Sequence, residues 1–370
     1  GLVGSEMCIR DSAGSGRGTL AVVGGGVIGL TCALAAADAG WRVRVFDAGP
    51  AERASQVAGG MLGSLGEGHP GEDRLLALSV DSVKRWPALV DRLGDPSIVT
   101  ATDSLFVAST AADAERLDHL ARFVWAQQPS AGATLNQVSA RDIRAMEPML
   151  GTRLVGGYRA EGEWALDNRR LLTQLRRAGN ELGVEYLDAR VATRAELPDD
   201  QVVLAAGLGT NALWPDADLY GAKGEVLRLH RTRWSVPPPR HVVRAVVGGR
   251  NVYLVPRAYG IVVGATQYEP QSGNGTVPEV GGVADLLADA IEVMPGLRTY
   301  ELVEAGAGLR PCTPDGLPII SRVDDRTVIA TGHGRNGIVL APVTADAVVR
   351  LLDDTGADAA AGIAAEVGGR

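Results

Sequence analysis

Cysteine is nearly missing from this chain. Cys8, Cys32 and Cys312 are all that 370 residues contain, and their spacing has no metal-site pattern. That excludes a disulfide scaffold and suits a reducing, cytoplasmic setting. Histidine is almost as sparse. His69, His119, His230, His241 and His333 stand far apart, so no metal site is expected and none is assigned as a base. Apolar runs are all too short to span a bilayer, which argues against a membrane partner. A basic stripe is also lacking. With 36 Lys and Arg against 44 Asp and Glu, the net charge is −8, and nucleic acid is not an expected partner. No internal repeat is visible. Residues 1–12, GLVGSEMCIRDS, lack the charged-then-apolar order of a signal peptide. They read as a leader foreign to the fold, with the natural start expected between Ala13 and Leu20. The stretch from Thr355 to Arg370 is rich in Ala and Gly and reads as a flexible tail.

Glycine, by contrast, is abundant at 48 residues. Its most telling cluster lies in residues 20–49, LAVVGGGVIGLTCALAAADAGWRVRVFDAG. Leu20–Val23 reads as a buried strand, and Gly24, Gly26 and Gly29 fit G-x-G-x-x-G. A helix-like stretch follows to Ala39, Gly40 can end it, and Arg42–Phe46 reads as a second strand. Asp47 closes the unit 23 residues after Gly24. The three glycines serve a tight turn, close approach of a pyrophosphate, and close packing of helix on strand. Free N–H groups and a partial positive charge at the helix start favour phosphate. Asp47 can accept hydrogen bonds from a ribose. The unit predicts a dinucleotide site but does not by itself separate NAD from FAD.

A chain of this length predicts two domains or one interleaved fold. Leu75–Leu93 has helical spacing, with Pro87 expected to kink or split it. Asp113–Gln127 reads as a helix. Asp167 is a good N-cap for another, running through Leu182 to a stop at Gly183. Val184–Leu187 and Gln201–Ala206 read as strands. Glu225–Leu229, Val242–Val247, Asn251–Val255 and Ile261–Ala265 are short, β-branched and separated by turn residues, the pattern of an antiparallel sheet. Asp285–Val293 reads as a helix stopped by Pro295. Strand character returns at Tyr300–Val303, Pro318–Ser321 and Thr327–Ala330, and Gly332–Gly337 opens a last helix to Leu352. Fold class is therefore α/β with an antiparallel insert, and the nucleotide domain is assembled from non-adjacent pieces.

Seven motifs then occur in a telling order: GGGVIG (24–29), AGGMLG (58–63), KGEVLRL (223–229), YLVPR (253–257), VVGAT (262–266), GLRPCTPDGLPII (308–320) and GHGRNGIVLAP (332–342). Taken together they resemble the FAD-dependent D-amino-acid oxidase superfamily, and within it the glycine oxidases of thiamin biosynthesis. The resemblance covers residues 19 to about 352. It implies a Rossmann-type FAD-binding domain over 13–80, 145–220 and 305–354. An antiparallel-sheet substrate domain would occupy 81–144 and 221–304.

The resemblance also implies roles. Val27 and Ile28 would meet the FAD diphosphate, and Asp47 with Ala48 the adenosine ribose. Ser55, Gly59, Gly60 and Met61 would approach the pyrophosphate and isoalloxazine. Val191 would contact adenine. His333, Gly334, Arg335, Asn336, Gly337, Ile338 and Val339 would wrap the pyrimidine edge of the flavin. A helix starting near Arg335 would favour the negative charge of reduced flavin. Arg310 would hold the substrate carboxylate, for which guanidinium offers two parallel donors. Tyr253 matches a tyrosine near the substrate, although a core strand aromatic would look the same. Arg335 would sit beside flavin and substrate together. Gln267 and Asn251 depart from the Met and His of relatives, which touches substrate range. Cys312 is offset from the cysteine that carries FAD in sarcosine oxidases, so FAD is expected to be non-covalent.

The implied activity is oxidation of glycine, sarcosine or small D-amino acids to the imine, with O2 giving H2O2. Glycine imine would supply the thiazole of thiamin. A D-amino-acid dehydrogenase with a non-oxygen acceptor is the alternative, and a flavin-binding partner without turnover a third reading. Relatives imply a homotetramer.

Overall fold

Two apolar segments far apart in sequence, Leu20–Val23 and Val202–Leu204, lie side by side as the buried middle strands of one sheet. Around them a computed structural model describes residues 17–49, 54–67, 69–127, 134–268 and 275–354. The expected leader and tail lie outside these residues. In chain order the strands are β1 (Thr19–Val23), β2 (Arg42–Phe46), β3 (Val99–Ala108), β4 (Thr134–Ser139), β5 (Gly156–Leu166), β6 (Glu185–Leu187) and β7 (Gln201–Leu204). They continue as β8 (Tyr220–His230), β9 (Val242–Val247), β10 (Arg250–Arg257), β11 (Gly260–Gly264), β12 (Glu301–Cys312), β13 (Ile319–Arg322) and β14 (Thr327–Thr331).

One sheet has the order β13-β14-β7-β1-β2-β6 and is parallel except for β13. Its central strands β1, β7 and β14 are buried on both faces, which is why they read as apolar runs, whereas β2 and β6 nearer the edge are partly exposed. The helices Val27–Asp38, Asn168–Glu181 and Ala341–Asp353 cover it and share its core with Leu20, Val22, Leu30, Leu171 and Val348. The other sheet has the order β12-β8-β11-β10-β9-β3-β5-β4 and is antiparallel apart from β3 against β9. Leu227, Leu229, Val243 and Leu254 on one face of it pack against Leu286 and Ala290 of the helix Val280–Val293. The other face is turned toward the first sheet, and a cavity opens between the two. The fold is thus α/β, with a doubly covered parallel sheet joined to an antiparallel one.

Local signals act as their chemistry predicts. Pro87 splits the expected helix into Asp73–Val83 and Trp86–Leu93, standing in the first turn of the second part where its missing N–H is harmless. Asp167 accepts from the N–H groups of Arg169 and Arg170, at 3.1 and 3.0 Å, and starts the helix after it. Thr110 caps the helix Ala111–Ala126, which therefore begins before Asp113.

Other boundaries differ from expectation for physical reasons. The helix expected from Asp285 begins at Val280, with Gly281 and Gly282 inside its first turn. Glycine is a poor helix former, but the Glu279 N–H at this start is accepted by the buried Glu225 at 2.6 Å. The last regular helix begins at Ala341, not near Arg335. Gly334 has φ +53, and Gly334–Asn336 makes only one tight turn before the helix starts at Ala341. Strands β3, β4 and β5 are unassigned from sequence. β5, GGYRAEGEWAL, breaks its alternation with three glycines and interior charges, and pairing with β3 and β4 on both sides holds it extended.

Candidate active site

The cavity between the sheets has a volume of about 910 Å³. One end is made by the carboxyl ends of β1, β2, β7 and β14, where ligands collect in open α/β sheets. At the turn after β1, Gly24 holds φ +124, and a Cβ there would fall 2.2 Å from the Ala205 carbonyl oxygen. A Cβ on Gly25 would fall 2.1 Å from Asp47 Oδ2. Gly26, Val27, Ile28, Asp47 and Ala48 line the wall, and Val191 lies at the far end with Ala189 and Arg190. Gly29 does not line the cavity. Its Cβ would meet the Gly24 carbonyl oxygen at 1.9 Å, so its place is helix-on-strand packing. Asp47 is buried, accepts from Gly49 N at 3.1 Å and pairs with Arg176. Strand-end carboxylate, glycine turn and helix start therefore face one elongated space, a donor set that fits a dinucleotide.

The segment from Ser55 to Met61 forms the next wall. Ser55 Oγ accepts from Val27 N at 3.2 Å, tying this segment to the glycine turn. Its carbonyls are held from behind. Asn168 Nδ2 donates to Ser55 O at 2.7 Å and Gln56 O at 3.1 Å. Arg169 and Arg228 also donate to Gln56 O, at 3.2 and 3.3 Å. Arg257 Nη2 donates to Gly59 O at 2.8 Å. Three guanidiniums thus meet here, faced by Glu304 and Asp167. Burial, with Asp167 the main opposing influence, pulls the Arg257 guanidinium down to about 10. Burial and the neighbouring Arg169 lower Arg228 as well. Gly60, at φ +83, lies against β5, where Leu166 N donates to its carbonyl at 2.7 Å.

The inner face of the second sheet completes the cavity. Tyr253 on β10 fits between two glycines: its Oη lies 2.8 Å from where a Gly59 Cβ would be and 2.4 Å from a Gly264 Cβ. Asn251 lines the same face, and Gln267 lies on the wall just beyond β11. Arg310 projects from β12 over Gly224, whose Cβ would fall 2.3 Å from Arg310 Nη2. Its Nη1 donates to the carbonyls of Lys223 and Thr266, both at 3.3 Å, and Nη2 to Thr266 O at 3.3 Å. Both arginine Nη groups are thus oriented by backbone, and Arg310 and Tyr253 share one chamber.

His333 to Val339 closes the remaining side. His333 is buried, with Nε2 2.9 Å from Thr344 Oγ1, and burial pushes its pKa down to about 3. It is a neutral wall, not a cation. Arg335 pairs with Glu72. Behind Val339, Trp86 Nε1 and Ser82 Oγ donate to its carbonyl at 3.0 and 2.6 Å. Cys312 is half-buried and absent from the cavity wall, and burial raises its thiol pKa. Among the described residues no His, Cys, Asp or Glu cluster could hold a metal.

Every site residue expected from sequence except Gly29 therefore lines the one cavity. Reading for single roles missed the support behind the wall: Asn168, Arg169, Arg228, Arg257, and the buried pair Lys223 and Glu225. A readable signal existed. KGEVLRL and YLVPR place charges inside apolar strand runs, and a buried charge needs partners.

The family model described as FAD dependent oxidoreductase matches residues 19–351. A bifunctional ThiO/ThiG protein of Synechocystis sp. is 30% identical over 354 residues, 90% of this chain and 51% of the relative. This chain thus spans about half the length of that protein. An oxidoreductase of Rhizobium etli named for thiamine biosynthesis is 32% identical over 90% of this chain and 95% of its own length. Among solved structures, glycine oxidase from Geobacillus kaustophilus superposes with a TM-score of 0.78 at 27% identity, covering 91% of this chain and 94% of that one.

Proposed function

Because this chain belongs to the FAD dependent oxidoreductase family and so uses FAD, we propose that it oxidises the amine of glycine or a similarly small amino acid to the imine. The observation that carries this reading is the chamber in which Arg310 and Tyr253 face the Gly59–Met61 wall. FAD, when bound, supplies a two-electron acceptor for the hydrogen on the substrate Cα. It would lie along Gly24–Ile28, Asp47, Ser55 and Val191, with its ring system between Gly59–Met61 and His333–Val339.

Arg310 holds the carboxylate through Nη groups already aimed by the Lys223 and Thr266 carbonyls. Its charge suits a carboxylate and repels an ammonium, so it favours the neutral amine whose lone pair drives oxidation. Tyr253 packs the substrate toward the flavin wall. Gln267, next in the chain to Thr266, limits side-chain size from the cavity wall. Glycine, sarcosine and small D-amino acids fit this description. Two electrons and two protons leave the substrate, and O2 takes them up as H2O2. Relatives named glycine oxidase and thiamine biosynthesis oxidoreductase support the oxidase reading over a D-amino-acid dehydrogenase, and support glycine imine as the product delivered to thiazole assembly. Among the described residues no helix is long and apolar enough to cross a membrane. The reading extends to a cytoplasmic homo-oligomer, on the family resemblance and the scarcity of cysteine.

The experiment is steady-state kinetics of Arg310→Ala with glycine. A KM raised by about a hundredfold, some 2.7 kcal/mol, is expected for a lost charge-assisted bidentate contact. An unchanged KM removes the carboxylate role.

A further inference from the structure

Lys223 and Glu225 are among the least exposed charged residues in the chain, at 2% and 0%. They alternate along β8 with Gly224, which faces Arg310 on the opposite side of the sheet. Lys223 Nζ lies 3.3 Å from Glu225 Oε1 and 2.8 Å from Glu279 Oε1. Burial alone would favour neutral forms of both. Pairing with Glu279, Tyr268 and each other outweighs it, raising Lys223 and lowering Glu225.

Glu225 does more than balance a charge. Oε1 accepts from Tyr268 Oη at 2.7 Å and Glu279 N at 2.6 Å, and Oε2 from Thr266 Oγ1 at 3.3 Å. Thr266 Oγ1 in turn accepts from Glu225 N at 2.9 Å. Lys223 N donates to Tyr268 O at 2.9 Å, and its ammonium sits 5.3 Å from the Tyr268 ring centroid. Thr266 and Tyr268 are therefore tied down on both sides of Gln267, the residue between them that reaches the cavity wall. The carbonyls of Lys223 and Thr266 are also the two acceptors that aim Arg310.

We infer that the buried Lys223–Glu225 pair is a positioning device for substrate selection. It fixes the Thr266–Tyr268 segment and, through it, the direction of the Arg310 fork and the reach of Gln267. A buried ion pair is a poor source of net stability but a good source of fixed geometry when every lone pair is used. The inference rests on the reading of Arg310 as the carboxylate anchor, and it names residues that touch neither substrate nor flavin.

The test uses FAD-loaded Tyr268→Phe and Glu225→Gln beside Arg310→Ala. Tyr268→Phe removes one hydroxyl and keeps both charges of the buried pair, so the test does not depend on Glu225→Gln folding. KM for glycine and Kd for acetate, a carboxylate probe without an amine, are read with kcat and FAD affinity. Expected in the first two variants is a rise of about tenfold in KM and acetate Kd, with kcat at saturation and FAD affinity unchanged. Unchanged KM and acetate Kd in Tyr268→Phe, with both raised in Arg310→Ala, overturns this inference alone. No change in Arg310→Ala overturns the anchor reading and this inference with it. Loss of FAD affinity in step with KM in Tyr268→Phe also overturns it, since that reports a general loosening of the fold.

Discussion

Arg257 reaches from β10 behind the cavity wall and donates to the Gly59 carbonyl at 2.8 Å. The side chain is almost enclosed, with Asp167 the nearest carboxylate at 4.0 Å. Little water is available to replace this donor. Arg257→Met should therefore leave a buried carbonyl without its donor, at about 1–3 kcal/mol. FAD affinity should fall by about tenfold as the Gly59–Met61 wall loosens. Titration of apoprotein with FAD, followed by flavin fluorescence, checks this.

The glycine turn makes a sharper demand. At Gly24 an added methyl would stand 2.2 Å from the Ala205 carbonyl in a backbone with φ +124. Gly24→Ala should cost about 2 kcal/mol or more and abolish FAD retention on purification. Thermal unfolding and the flavin to protein absorbance ratio report the two effects separately.

Gly224→Ala tests the substrate side alone. Its Cβ would stand 2.3 Å from Arg310 Nη2, at the end of a side chain that can move. Displacing that fork should raise KM for glycine by about tenfold or more. On the proposed placement FAD would lie along Gly59–Met61 and His333–Val339, which Gly224→Ala does not alter, so it should be retained. Steady-state kinetics with a parallel FAD titration decides it.

His333 gives a pH dependence with a defined sign. Its folded pKa is pushed down to about 3 by burial, from the ordinary 6.5. Between those values the unfolded chain takes up a proton that the folded chain does not. Stability from this group is complete above about pH 6.5 and is lost at about 1.4 kcal/mol per pH unit as pH falls toward 3. Other groups add their own slopes, so the comparison is with His333→Asn. The Tm of the wild type should fall more steeply between pH 6.5 and 4 than that of the variant.

Sequence alone conveyed the parallel sheet well, because β1 and β7 are short apolar runs that lead into glycine turns and β2 follows the glycine that ends the first helix. Asp167, Pro87 and the glycine turn act locally, so their effects needed no tertiary knowledge. Strands β3 to β5 were opaque. Their extended state comes from cross-strand pairing, including the parallel pair of β3 with β9, and not from alternation. The start of the helix at Val280 depends on Glu225, which lies 54 residues before the Glu279 N–H that it accepts. For the site, wall residues were readable from motifs, whereas the residues behind the wall were not. Arg257 and Arg228 look like strand charges until Gln56 and Gly59 are folded against them.

The most direct measurement is peroxide released per glycine consumed by FAD-loaded protein in air-saturated buffer. One H2O2 for each glycine is the predicted result. Flavin that glycine bleaches without peroxide would contradict the oxidase account and indicate another electron acceptor. Flavin that no small amine bleaches would contradict amine oxidation itself.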